Sequence, residues 1–170
     1  MTTDSALDPT SDAIARAVTR GRDGDPDGAR TALVGIWTEL GPLGDPLHRC
    51  TLAHYLADLY DDPAQALVWD VRALDAADAL TDGRLQQQYA SLTVRGFYPS
   101  LHLNLADNFR RLGSFDRARE HLDAAGRYFD ALDDDAYGAS IRTAIGEIGA
   151  AVDRGSVERS ATAPGPGSGS

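Results

Sequence analysis

His48, Cys50 and His54 stand close together, and at helical spacing Cys50 and His54, four positions apart, share one face. Such a trio invites two chemistries. A structural or catalytic zinc site would need a matching ligand pair elsewhere at recognisable spacing, and the sequence offers none. A cysteine nucleophile would need an adjacent base and a group to orient it; His54 and His102 are the available imidazoles, but nothing around Cys50 resembles a nucleophile pattern. The plainer reading makes Cys50 a small core residue and puts His54 at a helix interface or a groove. Asp61 with Asp62, and the run Asp133 to Asp135, fall where turns are expected, and there aspartate usually caps helices. "GDPDGA" and "APGPGSGS" lack the strand, lysine and helix that a phosphate-cradling loop requires. No catalytic residue, metal ligand or cofactor site is therefore expected.

Composition narrows the partners. Acidic residues outnumber basic ones 26 to 16, for a net charge of -10. Every basic residue other than histidine is arginine, and aspartate far exceeds glutamate, a bias typical of a GC-rich coding sequence. Without clustered positive charge the chain is not expected to bind nucleic acid, whose phosphates call for it. Acidity favours a basic partner. No apolar run reaches the roughly 18 residues of a membrane span, and "MTTDSALDPTSDAIARA" lacks the basic start and apolar stretch of a secretory signal. A single cysteine allows no disulfide within the chain, in keeping with a reducing compartment. A cytoplasmic protein is expected.

The elements that would position any site are helices. Apolar residues recur at a period near 3.6 from residue 11 to residue 153, with no sustained alternation of the strand type. The polar start, residues 1 to 10, and the Pro/Gly/Ser tail, residues 155 to 170, are expected to be disordered. Asp followed by Pro supplies a cap and a first-turn residue that needs no donor, so helices should open near Pro26, Pro46 and Pro63. Gly21, Gly41 and Gly113 follow periodic segments, where a left-handed stop is expected. The predicted helices are 11 to 21, 26 to 40, 46 to 60, 63 to 80, 83 to 97, 99 to 112, 115 to 132 and 136 to 153. Pro99 either opens a new helix or kinks one long helix running from Gly83 to Leu112.

The chain also repeats itself. "ALVGIWTEL" from Ala32 and "ALVWDVRAL" from Ala66 begin and end alike 34 residues apart, with apolar residues at Leu33, Trp37 and Leu40 and at Leu67, Val71 and Leu74. A similar spacing returns at Ala118, Leu122 and Ala125. Leu52, Leu56 and Tyr60 superimpose on Leu101, Leu105 and Phe109 at a shift of 49. On these residues the chain resembles the tetratricopeptide repeat (TPR) of high-GC bacteria, a helix-turn-helix that stacks into a superhelix. In the best copy Leu105, Ala106 and Phe109 fill the first-helix slots, Gly113 the turn, and Phe115 and Ala118 the second-helix slots. The resemblance implies an all-α, TPR-like superhelix of about three helix pairs plus a capping helix from Ala136, over residues 11 to 154, with Gly83 to Phe97 outside the pattern.

The resemblance also implies a concave face lined by the first helix of each pair. By alignment, Asp58 and Asp107 are equivalent groove positions, with His54 and Leu103 one turn before them and Asp61 and Arg110 one turn after. This face is mainly acidic, and it departs from repeats that clamp a peptide carboxylate. The expected function is a non-catalytic scaffold that binds a protein or peptide of basic or mixed charge, without nucleic acid or membrane. Two other readings stand beside it: a regulatory domain that senses a small ligand between residues 86 to 97 and the stack, and a module that self-associates through its ends. Phe97 and Tyr98, next to Pro99, should plug the junction left by the extra segment or form an exposed anchor.

Overall fold

The computed structural model describes residues 8–89 and 92–160, and among these residues all regular structure is helical. Eight α-helices follow one another: α1 Pro9–Arg22, α2 Pro26–Leu40, α3 Pro46–Ala57, α4 Pro63–Asp78, α5 Asp82–Gln88, α6 Tyr98–Arg111, α7 Phe115–Gly126 and α8 Ala136–Asp153. No helix among the described residues is long and apolar enough to cross a membrane.

Local chemistry opens the helices as expected. The side chain of Asp25 accepts from the Gly28 N–H, that of Asp45 from the Leu47 and His48 N–H groups, and that of Asp62 from the Ala64 N–H. Each satisfies donors that the first turn would otherwise orphan. The same Asp-Pro device opens α1, where Asp8 accepts from Thr10 and Ser11. That helix therefore starts at Pro9, two residues inside the segment expected to be disordered; residues 1–7 lie outside the described part of the chain.

Helix stops follow expectation less closely. Gly41 and Gly113 have the positive φ of a stop, +64° and +80°. Gly21 does not; it lies inside α1, and a Cβ placed on it would stand 3.1 Å from that of Ala29, so its smallness serves the close crossing of α1 and α2. The stop there is Gly24, with φ +102°. Around it the Asp25 N–H bonds to the Arg20 carbonyl, and around Gly113 the Ser114 N–H bonds to that of Phe109. Both are the glycine-closed helix end in which the last orphan carbonyls find donors.

Consecutive helices pack as hairpins α1/α2, α3/α4 and α6/α7; α3 also touches α1 and α2, α4 touches α6, and α8 covers α6 and α7. The first and third hairpins align at a shift of 89, pairing Ile14 with Leu103, Ala17 with Ala106, Gly24 with Gly113 and Ala29 with Ala118, and every one of these non-glycine residues is buried. Ala29, Ala66 and Ala118 are the fourth residue of α2, α4 and α7 and all three are buried. Burial thus sets the α2 to α4 shift at 37, from Ala29 to Ala66. The 34-residue match is displaced from it, since Val71 is exposed where its partner Trp37 is half-buried. The two segments still meet, because Trp37 and Trp69 pack edge to face with centroids 5.2 Å apart.

The extra segment is not the single helix predicted over 83 to 97. It forms the short α5 and then a 3-10 turn, Val94–Phe97, tied back by a 2.8 Å bond from the Val94 N–H to Asp82. Pro99 opens α6 rather than kinking a long helix. Leu85 and Val94 are buried with Leu47 and Leu80, and Phe97 and Tyr98 pack on this cluster, so the aromatic pair plugs the junction. The helix predicted over 115 to 132 likewise stops at Gly126, with a 3-10 turn after it at Phe129–Ala131.

Candidate functional site

A hollow of about 80 Å³ lies where α3, α4, α6 and α8 converge. Its floor is apolar, from Ala57, Ala66, Leu103, Ala144 and Ile148. Its polar lining holds four carboxyls, Asp58, Asp70, Asp107 and Glu147, against one guanidinium, Arg111, with the amides of Asn104 and Asn108 between.

Asp70 is the least expected of these groups. It sits on the buried stripe of α4 with Ala66 and Ala73 and is only 2 % exposed. A buried carboxyl needs donors, and α6 provides them: Asn108 Nδ2 donates to Oδ2 at 2.7 Å and Asn104 Nδ2 to Oδ1 at 3.4 Å. Burial raises its pKa well above the ordinary carboxylate value, the negative charge of Asp58 pushes the same way, and the two amides oppose them. Burial also raises Asp58, against the pull of His54. Two carboxyls therefore share a site in which lost water disfavours the ionised form of each, and at Asp70 the charge of Asp58 adds to it. A cation entering the hollow would relieve both.

His54 stands beside this pair, its Nδ1 4.0 Å from Asp70 Oδ1, too far for a hydrogen bond. That nitrogen is buried and makes no hydrogen bond within the described residues. Asp107 is neutralised by its own helix, since Arg110 donates to its Oδ1 from Nη2 at 2.6 Å and from Nε at 2.9 Å.

Asp58, Leu103 and Asp107, three of the six residues expected to line a groove, thus meet in one hollow. His54 abuts its acidic wall. Asp61 lies beyond the rim, with its carbonyl accepting from Arg111 Nη2 at 2.6 Å and its carboxylate paired with Arg159. Arg110 differs from expectation: 1 % exposed, it is no open groove wall but a buried cation that holds Asp107 and the Ser156 carbonyl together. Residues Ser156–Ser160, expected to belong to a disordered tail, lie against this site, and Ser160 lines the hollow; residues 161–170 are outside the described part of the chain. Asp70 was missed as a site residue, yet its place on an otherwise apolar stripe is a readable signal.

Cys50 is buried, and burial pushes its thiol up to about 12, far from the thiolate a nucleophile needs. His48 instead bonds through Nε2 to Asp8 Oδ2 at 3.0 Å. Burial alone would raise Asp8, but bonds from Ser11 and His48 outweigh it and hold the carboxyl at about 2. Among the described residues no cluster of three or more His, Cys, Asp or Glu side chains is placed to hold a metal ion. A second hollow of about 200 Å³ lies between α1 and α3 and is bordered by Tyr89 of the extra segment.

No protein family, curated protein or solved structure matches the chain.

Proposed function

We propose that the chain is a non-catalytic, TPR-like scaffold whose acidic hollow between α3, α6 and α8 receives a basic or mixed-charge peptide. The single observation that carries this reading is the paired, desolvated carboxyls Asp58 and Asp70 over an apolar floor. A hollow of about 80 Å³ suits one cationic side-chain head and its stem rather than a whole small molecule. The TPR-like arrangement is supported by three hairpins with equivalent buried alanines, by the matched glycine closures of the first and third, and by a final helix against α6 and α7. Each hairpin leaves an apolar stripe for its neighbour to cover, so the array works as one body. The buried, unpaired Cys50 suits work in a reducing cytoplasm.

The test is a fluorescence-anisotropy titration with synthetic peptides of matched length carrying arginine, neutral or glutamate residues. The reading requires arginine-bearing peptides to bind best, with affinity falling as salt rises, and Asp58→Asn to weaken that binding. Equal binding of all three peptide classes, or an unchanged Asp58→Asn, refutes it.

A further inference from the structure

The chain after α8 lies against the candidate site. Helix α8 ends at Asp153 and is closed by Gly155, whose φ of +63° is the left-handed turn that glycine accepts at no steric cost. The Gly155 N–H bonds to the Val152 carbonyl at 3.0 Å and the Ser156 N–H to that of Ala151 at 3.0 Å, which closes the helix. Residues 156–160 then run without helix or strand structure across the ends of the helices that form the hollow.

Contacts to residues far away in sequence fasten this segment. Arg110 Nη1 donates to the Ser156 carbonyl at 2.7 Å, a main-chain contact that any extended peptide can offer. Arg159 pairs with the Asp61 carboxylate, a contact that requires a cation. Between them Val157 and Glu158 face solvent, and Ser160 ends on the hollow itself. The side chain that grips the main chain is buried, whereas the pair that grips the arginine is not: Asp61 is 70 % and Arg159 31 % exposed. A segment held in this way is ordered but weakly committed, since exposed ion pairs contribute little.

We propose that Ser156–Ser160 is a strap resting along the rim of the groove with Ser160 at the hollow, and that its partner in trans is an extended segment bearing an arginine, which displaces this strap and takes over the contacts with Arg110 and Asp61. The inference rests on the peptide-groove reading above. It adds the direction from which the peptide enters, the buried donor that reads its backbone, and a built-in competitor. A partner must outbid the strap, which enjoys the high effective concentration of a tethered ligand.

The experiment uses full-length chains and a fluorescein-labelled peptide repeating residues 155–160. Arg159→Glu should loosen the strap and raise affinity for the peptide about fivefold over wild type, near the upper end of what an exposed ion pair contributes. Adding Asp61→Arg to that variant should reseat the strap by the reversed pair and return affinity to the wild-type level or below. A peptide with glutamate in place of its arginine should not gain from Arg159→Glu alone. As a second readout, trypsin should cut after Arg159 several times faster in Asp61→Asn than in wild type, because the docked arginine is withheld from the protease. The proposal is overturned if Arg159→Glu binds the peptide no better than wild type, or if cleavage at Arg159 is unaffected by Asp61→Asn. Should other arginine-bearing peptides bind both chains equally and still depend on Asp58, the strap fails while the peptide groove stands.

Discussion

Arg110 and Ser156 stand 46 positions apart in sequence, yet a 2.7 Å hydrogen bond from Nη1 to the carbonyl oxygen joins them. The same guanidinium holds Asp107 through its other nitrogens. One buried cation thus couples the groove helix α6 to the chain after α8. Truncation of Arg110 should be costly, because it strands Asp107 and the carbonyl together. For Arg110→Ala the expected loss is about 3–5 kcal/mol, the range for removing one partner of a buried pair. Urea denaturation followed by circular dichroism measures it. A loss below about 1 kcal/mol, ordinary for a surface substitution, would contradict this role.

The small residues at the hairpin crossings should tolerate no bulk. Ala118 is fully buried beside Ala106 in the cluster that joins α6, α7 and α8. Ala118→Leu is expected to destabilise by about 1–3 kcal/mol through overpacking, which is roughly 2–12 °C in Tm at the ~2–4 °C per kcal/mol typical of this chain length. Ala139→Leu, on the exposed side of α8, is the control, expected to stay within about 0.5 kcal/mol. Differential scanning calorimetry compares the two.

Asp58 sits where stability and binding pull apart. Its pKa is raised in the folded chain, chiefly by burial. Its contribution to stability is thus whole below the unfolded value near 3.8 and fades as pH rises through the folded value. Asp58→Asn should therefore be more stable than wild type at pH 8, by on the order of 1 kcal/mol, and should show a flatter fall in stability between pH 4 and 8. Peptide binding should weaken in the same variant. Thermal melts across this pH range give the first outcome, and a variant less stable than wild type at pH 8 would refute it.

Acid should loosen the third hairpin. His102 Nδ1 lies 3.0 Å from His121 Nδ1, and the rings stand 5.2 Å apart, close to that distance plus one ring radius at each end. The nitrogens therefore meet head to head, with one ring donating and the other accepting. Burial, helped by the charge of His121 and of Arg127 and opposed by Asp78, lowers His102 to about 4; burial lowers His121 as well. Tyr98 and Tyr128 stack alongside. The unfolded chain binds more protons between the ordinary value of 6.5 and about 4, so stability should fall as pH drops through that window. His102→Gln should flatten this acid slope, as melts between pH 7 and 4 would reveal. An unchanged slope would mean that the pair does not govern it.

Much of the fold was legible because it is local. Asp25, Asp45 and Asp62 each precede a proline and cap a helix that begins where the pair predicts, since cap chemistry is complete within four residues. Gly21 was misread because a glycine chosen for a close helix crossing and one chosen for a left-handed stop look the same in sequence; the Ala29 contact that separates them comes from another helix. The break after Gln88 depends on Asp82 reaching the Val94 N–H, a bond that no periodicity announces. Of the site, the register of α3 against α6 brought out Asp58, Leu103 and Asp107. Asp70 belongs to a second helix, and its role emerges only when Asn104 and Asn108 arrive from α6. Arg159 reaching Asp61 spans 98 positions, beyond any pattern in the chain.

The central claim is that an arginine-bearing peptide seats in the hollow between α3, α6 and α8, and backbone chemical-shift mapping of the full chain during titration with such a peptide tests it most directly. The largest shifts are expected at Asp58, Asp61, Leu103, Asn104, Asp107 and Ile148, with shifts at Ser156 to Ser160 as the strap leaves. Shifts centred instead on the exposed Val68 and Val71 of α4, or none at saturating peptide, would contradict it.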